Sequence, residues 1–378
     1  MAFVDLKKQL DFLEPAVSRA INAVVAAGQF INGPEVQQLE QALSEYVGAE
    51  HCVACANGTD ALTLPLLAWS IGPGDAVFCP TFTFIATAEV VALRGASCVF
   101  VDIDPVTYNI DPESLAERIE FVLKKTSLKP KVVIPVDLFG LPYDYDKISA
   151  IAERYGLKIL EDAAQGFGGL YGDKRAGSLG DVSATSFFPS KPLACYGDGG
   201  AIFTQDRQLA GLLKSIRGHG AGSDRYEHLR LGLNSRLDTL QAAILLVKLA
   251  AFPQELQARQ KVAKRYEDAL RGLVLSVPEI PSSSLSSWAQ YTIRVPAQVR
   301  DAVVDDVKAK GAPVMVYYPK CLHLQKAFEY LGGHVGQFPA AEKATREVLS
   351  LPMHPYLSEQ DQDRVVETLK ASLKAAGV

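Results

Sequence analysis

Val132-Val133-Ile134-Pro135-Val136 is an apolar run without polar alternation, and it decides how the chain around it is read. A strand with one wet face alternates apolar and polar residues, whereas a strand buried on both faces does not. The run therefore predicts a strand inside a sheet that is covered on both sides. Short apolar runs recur at 52–55, 76–79, 97–101, 131–136, 157–160, 182–188 and 200–204. Most are separated by stretches of helical spacing, such as 83–93, 112–124 and 144–155. This β-α-β rhythm predicts an α/β fold with a mostly parallel sheet.

On the N-terminal side, Val17, Ala20, Ile21, Val24 and Val25 fall at helical spacing between Pro15 and Gly28. Val36, Leu39, Leu43 and Val47 do the same after the turn Asn32-Gly33-Pro34. From about residue 206 the pattern changes to long helices, expected at 206–217, 235–250 and 254–271. Pro278 to Ser287 reads as a linker or long loop. A strand (Tyr291 to Val295), a helix (300–310), a short strand (313–317) and closing helices (339–349 and 358–375) suit a smaller α+β domain. The expected division is a large domain over 1–250 and a small C-terminal domain over 251–378, with the N-terminal helices able to pack on the latter.

Composition narrows the function classes. A chain of 378 residues with 48% hydrophobic and 21% charged residues reads as an ordinary globular protein of two domains. A net charge of -5 gives no electrostatic case for nucleic acid or anionic membranes. No run approaches the roughly 18 apolar residues of a membrane span. Met1-Ala2-Phe3-Val4-Asp5 lacks the features of a secretion signal, so the cytoplasm is the expected compartment. Cys52 and Cys55 form a C-x-x-C, but residues three apart on a strand point to opposite faces. No second such pair exists and the six histidines are dispersed, so no metal site is expected.

In an open parallel sheet, ligands bind beyond the carboxyl ends of the strands. Ala56-Asn57-Gly58-Thr59-Asp60-Ala61-Leu62 follows a strand and opens a helix, where glycine and free N–H groups suit a phosphate. Pro65, two turns in, is expected to kink that helix. Leu157 to Gln165 places Asp162 at the end of a buried strand, with Gln165 three residues on. Pro80-Thr81-Phe82-Thr83-Phe84 offers an aromatic ring after another strand. Ser186-Phe187-Phe188-Pro189-Ser190-Lys191 sets a lysine between an apolar run and Gly197-Asp198-Gly199-Gly200. A buried lysine loses part of its charge and becomes a nucleophile able to form a Schiff base with a carbonyl, pyridoxal phosphate above all. Taken singly, Lys191 and Asp162 read equally as turn caps and Phe84 as core packing.

Together with Arg217-Gly218-His219-Gly220, Asn234-Ser235-Arg236-Leu237-Asp238 and Leu351-Pro352-Met353-His354-Pro355, these stretches resemble the nucleotide-sugar aminotransferases of the DegT/DnrJ/StrS type, in order and over nearly the whole chain. The resemblance implies a fold-type-I enzyme dependent on pyridoxal phosphate (PLP), with a seven-stranded sheet and a homodimeric assembly. It implies that Lys191 holds PLP covalently and carries the proton, that Asp162 pairs with the pyridine nitrogen, and that Gln165 meets the ring hydroxyl. It also implies that Phe84 stacks on the ring, that Gly58, Thr59 and Ser186 hold the phosphate, and that Asn234 comes from the other subunit. Some members carry His at the lysine position and dehydrate their substrate, so Lys191 favours transamination.

The implied amino donor is L-glutamate, leaving as 2-oxoglutarate, with Arg236 as a carboxylate ligand. His323 and Tyr318 fall on the substrate side, although Tyr317-Tyr318-Pro319 stands where His-Tyr-Pro is frequent. The Ser-Phe-Phe-Pro-Ser-Lys-Pro-Leu form resembles the branch that aminates the 3-keto carbon of a UDP-linked 2-acetamido hexuronic acid for bacterial surface polysaccharide such as O-antigen. The alternatives are a 4-keto-6-deoxy UDP-sugar, a 3-keto dTDP-sugar, or a PLP-binding regulator without turnover. A nicotinamide oxidoreductase is rejected, because Gly218-His219-Gly220-Ala221-Gly222 follows a helix rather than a strand.

Overall fold

The structure is a computed structural model that describes every residue except Arg225. Its centre is a seven-stranded sheet. In chain order the strands are β1 (His51–Cys55), β2 (Asp75–Pro80), β3 (Ser97–Val101), β4 (Lys129–Val133) and β5 (Lys158–Asp162). A small hairpin of β6 (Leu170–Tyr171) and β7 (Lys174–Arg175) intervenes before β8 (Val182–Ser186) and β9 (Gly200–Thr204). The spatial order is β1-β9-β8-β5-β4-β2-β3. β8, β5, β4, β2 and β3 pair in parallel, and only β9 runs against the rest.

Both faces are covered. Val53, Cys55, Val77, Cys79, Val132 and Leu160 bury one face against the helices Gly58–Ala68, Ala86–Leu93 and Arg207–Arg217. Ala76, Phe78, Val133 and Ile159 bury the other against Pro112–Lys125 and Tyr145–Tyr155. Further along that face, Cys52, Ala54 and Phe203 meet the helix Pro34–Val47. Cys52 and Cys55 thus belong to different cores, and all six cysteines are buried thiols.

In place of the two helices expected at 235–250 and 254–271, one helix runs from Thr239 to Leu270 straight through Pro253. Proline removes one helix hydrogen bond at a cost of about 3 kcal/mol. Here Ala242, Leu245 and Phe252 are anchored in the sheet core and Val262, Ala263, Tyr266 and Leu270 in a second core, so burial on both sides offsets the loss. The second core also holds β11 (Tyr291–Arg294) and β12 (Val348–Leu351), with the helices Arg300–Ala309 and Glu359–Ala375. The stretch expected as a loop at 278–287 contains β10 (Ser284–Leu285), which pairs with β6. The strand expected at 313–317 is reduced to a single bridge between Met315 and Ser350. No helix among the described residues is long and apolar enough to cross a membrane.

Candidate active site at the strand ends

Three strands deliver the site. β1 ends at Cys55, and Asn57 caps the following helix by accepting the Asp60 N–H at 2.8 Å. That leaves the N–H groups of the first turn, Gly58 and Thr59 among them, at the open end. A Cβ at Gly58 would stand 2.5 Å from Ser186 Cβ and 2.9 Å from its Oγ, so only glycine lets this helix start lie against the end of β8. The result sets helix N–H groups beside a serine hydroxyl, a fit for a dianionic phosphate. Pro65 sits inside the helix Gly58–Ala68 without ending it, and the Trp69 N–H still reaches the Pro65 carbonyl at 2.9 Å.

Asp162 ends β5 and is buried. Thr87 Oγ1 donates to its Oδ2 at 2.8 Å, Thr83 lies 3.2 Å behind Thr87, and the Ala164 N–H reaches Oδ1 at 3.2 Å. Burial pushes the Asp162 carboxyl up, while the Thr87 hydroxyl and the Lys191 charge draw it down. For Lys191 the signs reverse: burial pulls the ammonium below its ordinary range and Asp162 opposes that. Each group feels the other's charge, as the chemistry of a nucleophilic amine facing an anionic partner requires.

Gln165 follows on a single turn closed by the Phe167 N–H to the Ala163 carbonyl at 3.0 Å. Its Oε1 accepts the Phe139 N–H at 2.7 Å and its Nε2 donates to the Tyr318 hydroxyl at 3.1 Å. Tyr318 stands among aromatic rings, 6.1 Å from Phe82 and 6.4 Å from Phe84. Phe82 is core, whereas Phe84 is 54% exposed and offers a free ring face. The structure thus gathers Gly58, Thr59, Ser186, Asp162 and Lys191 at adjacent strand ends, with Gln165, Tyr318 and Phe84 forming one wall.

The other three expected residues behave differently. Asn234 is exposed, and its backbone bridges to Gly218. Arg236 is partly buried, and its Nε has no partner among the described residues. His323 is buried, and its own N–H donates to Thr81 Oγ1 at 3.1 Å. Its Nδ1 lies 2.7 Å from Thr81 Oγ1, and its Nε2 stands 3.3 Å from Glu342 Oε1. Thr81 thus holds the ring at Nδ1, Nε2 lies near Glu342 without a hydrogen bond, and burial lowers the affinity of the ring for a proton.

Thr87 and Phe139 are participants that sequence reading missed. Thr87 had one signal available: it lies four residues after Thr83, one helical turn, in a segment that follows a strand end. The Phe139 backbone carried none.

A family profile described as the DegT/DnrJ/EryC1/StrS aminotransferase family matches residues 13–370. A relative from Pseudomonas aeruginosa named UDP-2-acetamido-2-deoxy-3-oxo-D-glucuronate aminotransferase is 48% identical over 94% of this chain and 95% of its own. A DegT/DnrJ/EryC1/StrS aminotransferase from Brucella abortus superposes with a TM-score of 0.95 at 51% identity, covering 98% of this chain and 99% of that one. The NtdA protein of Bacillus subtilis, solved with bound pyridoxamine phosphate, superposes with a TM-score of 0.87 at 32% identity, over 98% and 83% of the two chains. With its sheet, its strand-end lysine and its matched length, the chain belongs to the DegT/DnrJ/EryC1/StrS aminotransferase family.

Proposed function

We propose that the protein is a PLP-dependent aminotransferase that moves the amino group of L-glutamate to the 3-keto carbon of a UDP-linked 2-acetamido hexuronic acid. The carrying observation is the Asp162–Lys191 pair, an anion and an amine that feel each other's charge beside a helix-start cradle shaped for phosphate. When bound, PLP supplies an aldehyde for the lysine and an electron-withdrawing ring that stabilises charge on the substrate carbon.

Each residue then has a task. Gly58, Thr59 and Ser186 hold the phosphate. The Asp162 carboxylate keeps the pyridine nitrogen protonated; a charge pair at ~4 Å is worth about 4 kcal/mol at an effective dielectric near 20. Thr87 fixes the direction in which that carboxylate points. Lys191, its charge disfavoured by burial, would hold PLP covalently and would then be the base that carries the proton between the donor and the cofactor. Gln165, already held by Phe139 and Tyr318, presents its amide edge to the ring hydroxyl, and Phe84 stacks on the ring face. Arg236 has an unsatisfied guanidinium nitrogen to offer the carboxylate of glutamate. Tyr318 lies on the sugar side, and His323, held at Nδ1 by Thr81, shapes that wall.

A homodimer belongs to this reading. Exposed Asn234 would reach the phosphate of a second copy, and the exposed Phe30, Ile31, Phe84 and Phe188 would give that copy apolar surface to cover. A cytoplasmic site of action is also part of it, supported by six cysteines that all remain thiols.

The test is a panel of keto-sugar nucleotides offered with glutamate, read by the mass of the aminated product. Amination of only 4-keto sugars or only dTDP-sugars would sink the uronic-acid assignment. Failure of glutamate and every other amino donor to change the absorbance of the bound cofactor would favour the regulator.

A further inference from the structure

A second approach to Lys191 opens from the N-terminal segment. A cavity of about 10 Å³ is lined by Gln9, Pro189, Lys191, Arg259, His354 and Tyr356, with Val4, Asp5 and Leu6 at its rim. Its walls are polar and incompletely satisfied. Gln9 Nε2 donates to Glu255 Oε1 at 2.8 Å and the Tyr356 hydroxyl donates to the same oxygen at 2.5 Å. The remaining polar atoms have no partner among the described residues: Gln9 Oε1, Glu255 Oε2, Arg259 Nε and both ring nitrogens of His354. All four residues are more than nine-tenths buried. Lys248, which feels the Glu255 charge, is 1% exposed, its amine lies 4.1 Å over the Tyr196 ring, and neither that amine nor the Tyr196 hydroxyl has a hydrogen-bond partner among the described residues.

One unsatisfied buried polar group costs about 1–3 kcal/mol, so a cluster of this kind is untenable when dry. The groups include donors and acceptors, and water answers both at once. Size agrees: a cavity needs about 10–15 Å³ to hold one water.

We propose that this cavity is a site for ordered water, and that the water connects the Lys191 amine to His354 and thence to the rim at Asp5, as a route for proton exchange with solvent. The second half rests on the proposed transamination, in which Lys191 becomes an ammonium after lifting the donor proton. One N–H bond of that ammonium breaks as its proton passes to the water oxygen. A different O–H of the water then gives its proton to the free ring nitrogen of His354, and the reverse sequence restores the ammonium. No electrons change hands and no other group is consumed.

Two experiments test it. A crystal structure of the cofactor-free protein, at a resolution that shows ordered water, is expected to place a water within hydrogen-bond distance of Lys191 Nζ and of Gln9 or His354. Single-turnover reaction of the holoenzyme with glutamate deuterated at its α-carbon measures how much deuterium stays in the pyridoxamine phosphate formed. Retention is expected to be low in the native protein and to rise several-fold in His354→Phe and in Gln9→Leu, with Gln9→Leu available should His354→Phe fail to fold. A dry cavity, or unchanged retention in the folded variants, overturns the proposal. Absence of any half-reaction in the native protein would instead overturn the functional reading, while the water position would still be decided by the crystal.

Discussion

Glu161 and Asp162 are neighbours on β5, both buried, and they point to opposite faces of the sheet. Glu161 is consumed by its own protein: it accepts the Gly177 N–H at 3.0 Å, the Leu179 N–H at 2.9 Å and the Ser183 hydroxyl. It also faces Asp137, whose carboxyl is pushed up by burial and by the Glu161 charge. Asp162 receives one hydroxyl and one long backbone contact, and the charge it meets is Lys191. One carboxylate is saturated by the fold and the other is kept available for a ligand. Both are buried carboxylates on one strand, and the supply of donors separates the two.

The sharpest way to break the comparison is on the Asp162 side. Lys191→Ala is expected to lower turnover by roughly 10⁴-fold or more, since it removes both the covalent attachment and the proton carrier, with the thermal midpoint nearly unchanged. Measurable transamination in that variant would refute the mechanism. Asp162→Asn should retain cofactor but lose about 10²–10³-fold in kcat, the equivalent of about 3–4 kcal/mol, because the charge pair is gone. A near-normal rate would remove the ring-nitrogen role.

Glu161→Gln should act on the other quantity. It leaves buried donors short of acceptors and is expected to cost about 1–3 kcal/mol of stability in a denaturant melt, while kcat per folded molecule changes little. A large kcat loss without destabilisation would mean the two faces are not separate. Thr87→Val should reduce kcat by roughly tenfold through a misdirected Asp162, with Thr87→Ser restoring most of it. A purely structural threonine would show destabilisation instead, with no shift in the pH dependence of the absorbance of the bound cofactor.

The smallest effect is a pH slope. The Asp137 pKa is raised by folding, so above about pH 4 the unfolded chain releases a proton that the folded one keeps. This stabilising contribution is complete below the unfolded pKa and is lost as pH rises through the folded one. Asp137→Asn removes the titrating group while keeping the size of the side chain, so it should flatten the fall in stability on going to higher pH. A slope identical to that of the native protein would show that Asp137 does not carry the proton.

Much of this was legible in the chain. The apolar runs at 97–101 and 200–204 are strands at those same residues, because both faces of the sheet are covered and every position is apolar or small. The cofactor-site candidates were legible as strand ends followed by glycine, acid or lysine. Other features were not. Pro253 looks like a helix stop and becomes part of a continuous helix, since its penalty is local and the burial that offsets it comes from two distant cores. Residues 313–317 have the composition of a strand but form only the Met315–Ser350 bridge. His323 reads as a free substrate ligand, yet Thr81, distant in sequence, takes its Nδ1, and Glu342 stands 3.3 Å from its Nε2.

The sequence by itself determined the layered α/β architecture, the family and the candidacy of Lys191 and Asp162, because periodicity and residue type are local properties of the chain. Only the tertiary structure decided which buried polar groups are satisfied. It showed that Glu161 is spent and Asp162 available, that Thr87 and Tyr318 brace the site, and that Gln9, Arg259 and His354 surround a polar cavity at Lys191. Hydrogen-bond satisfaction is set by atoms brought together from remote segments, and that pairing has no imprint in the order of residues.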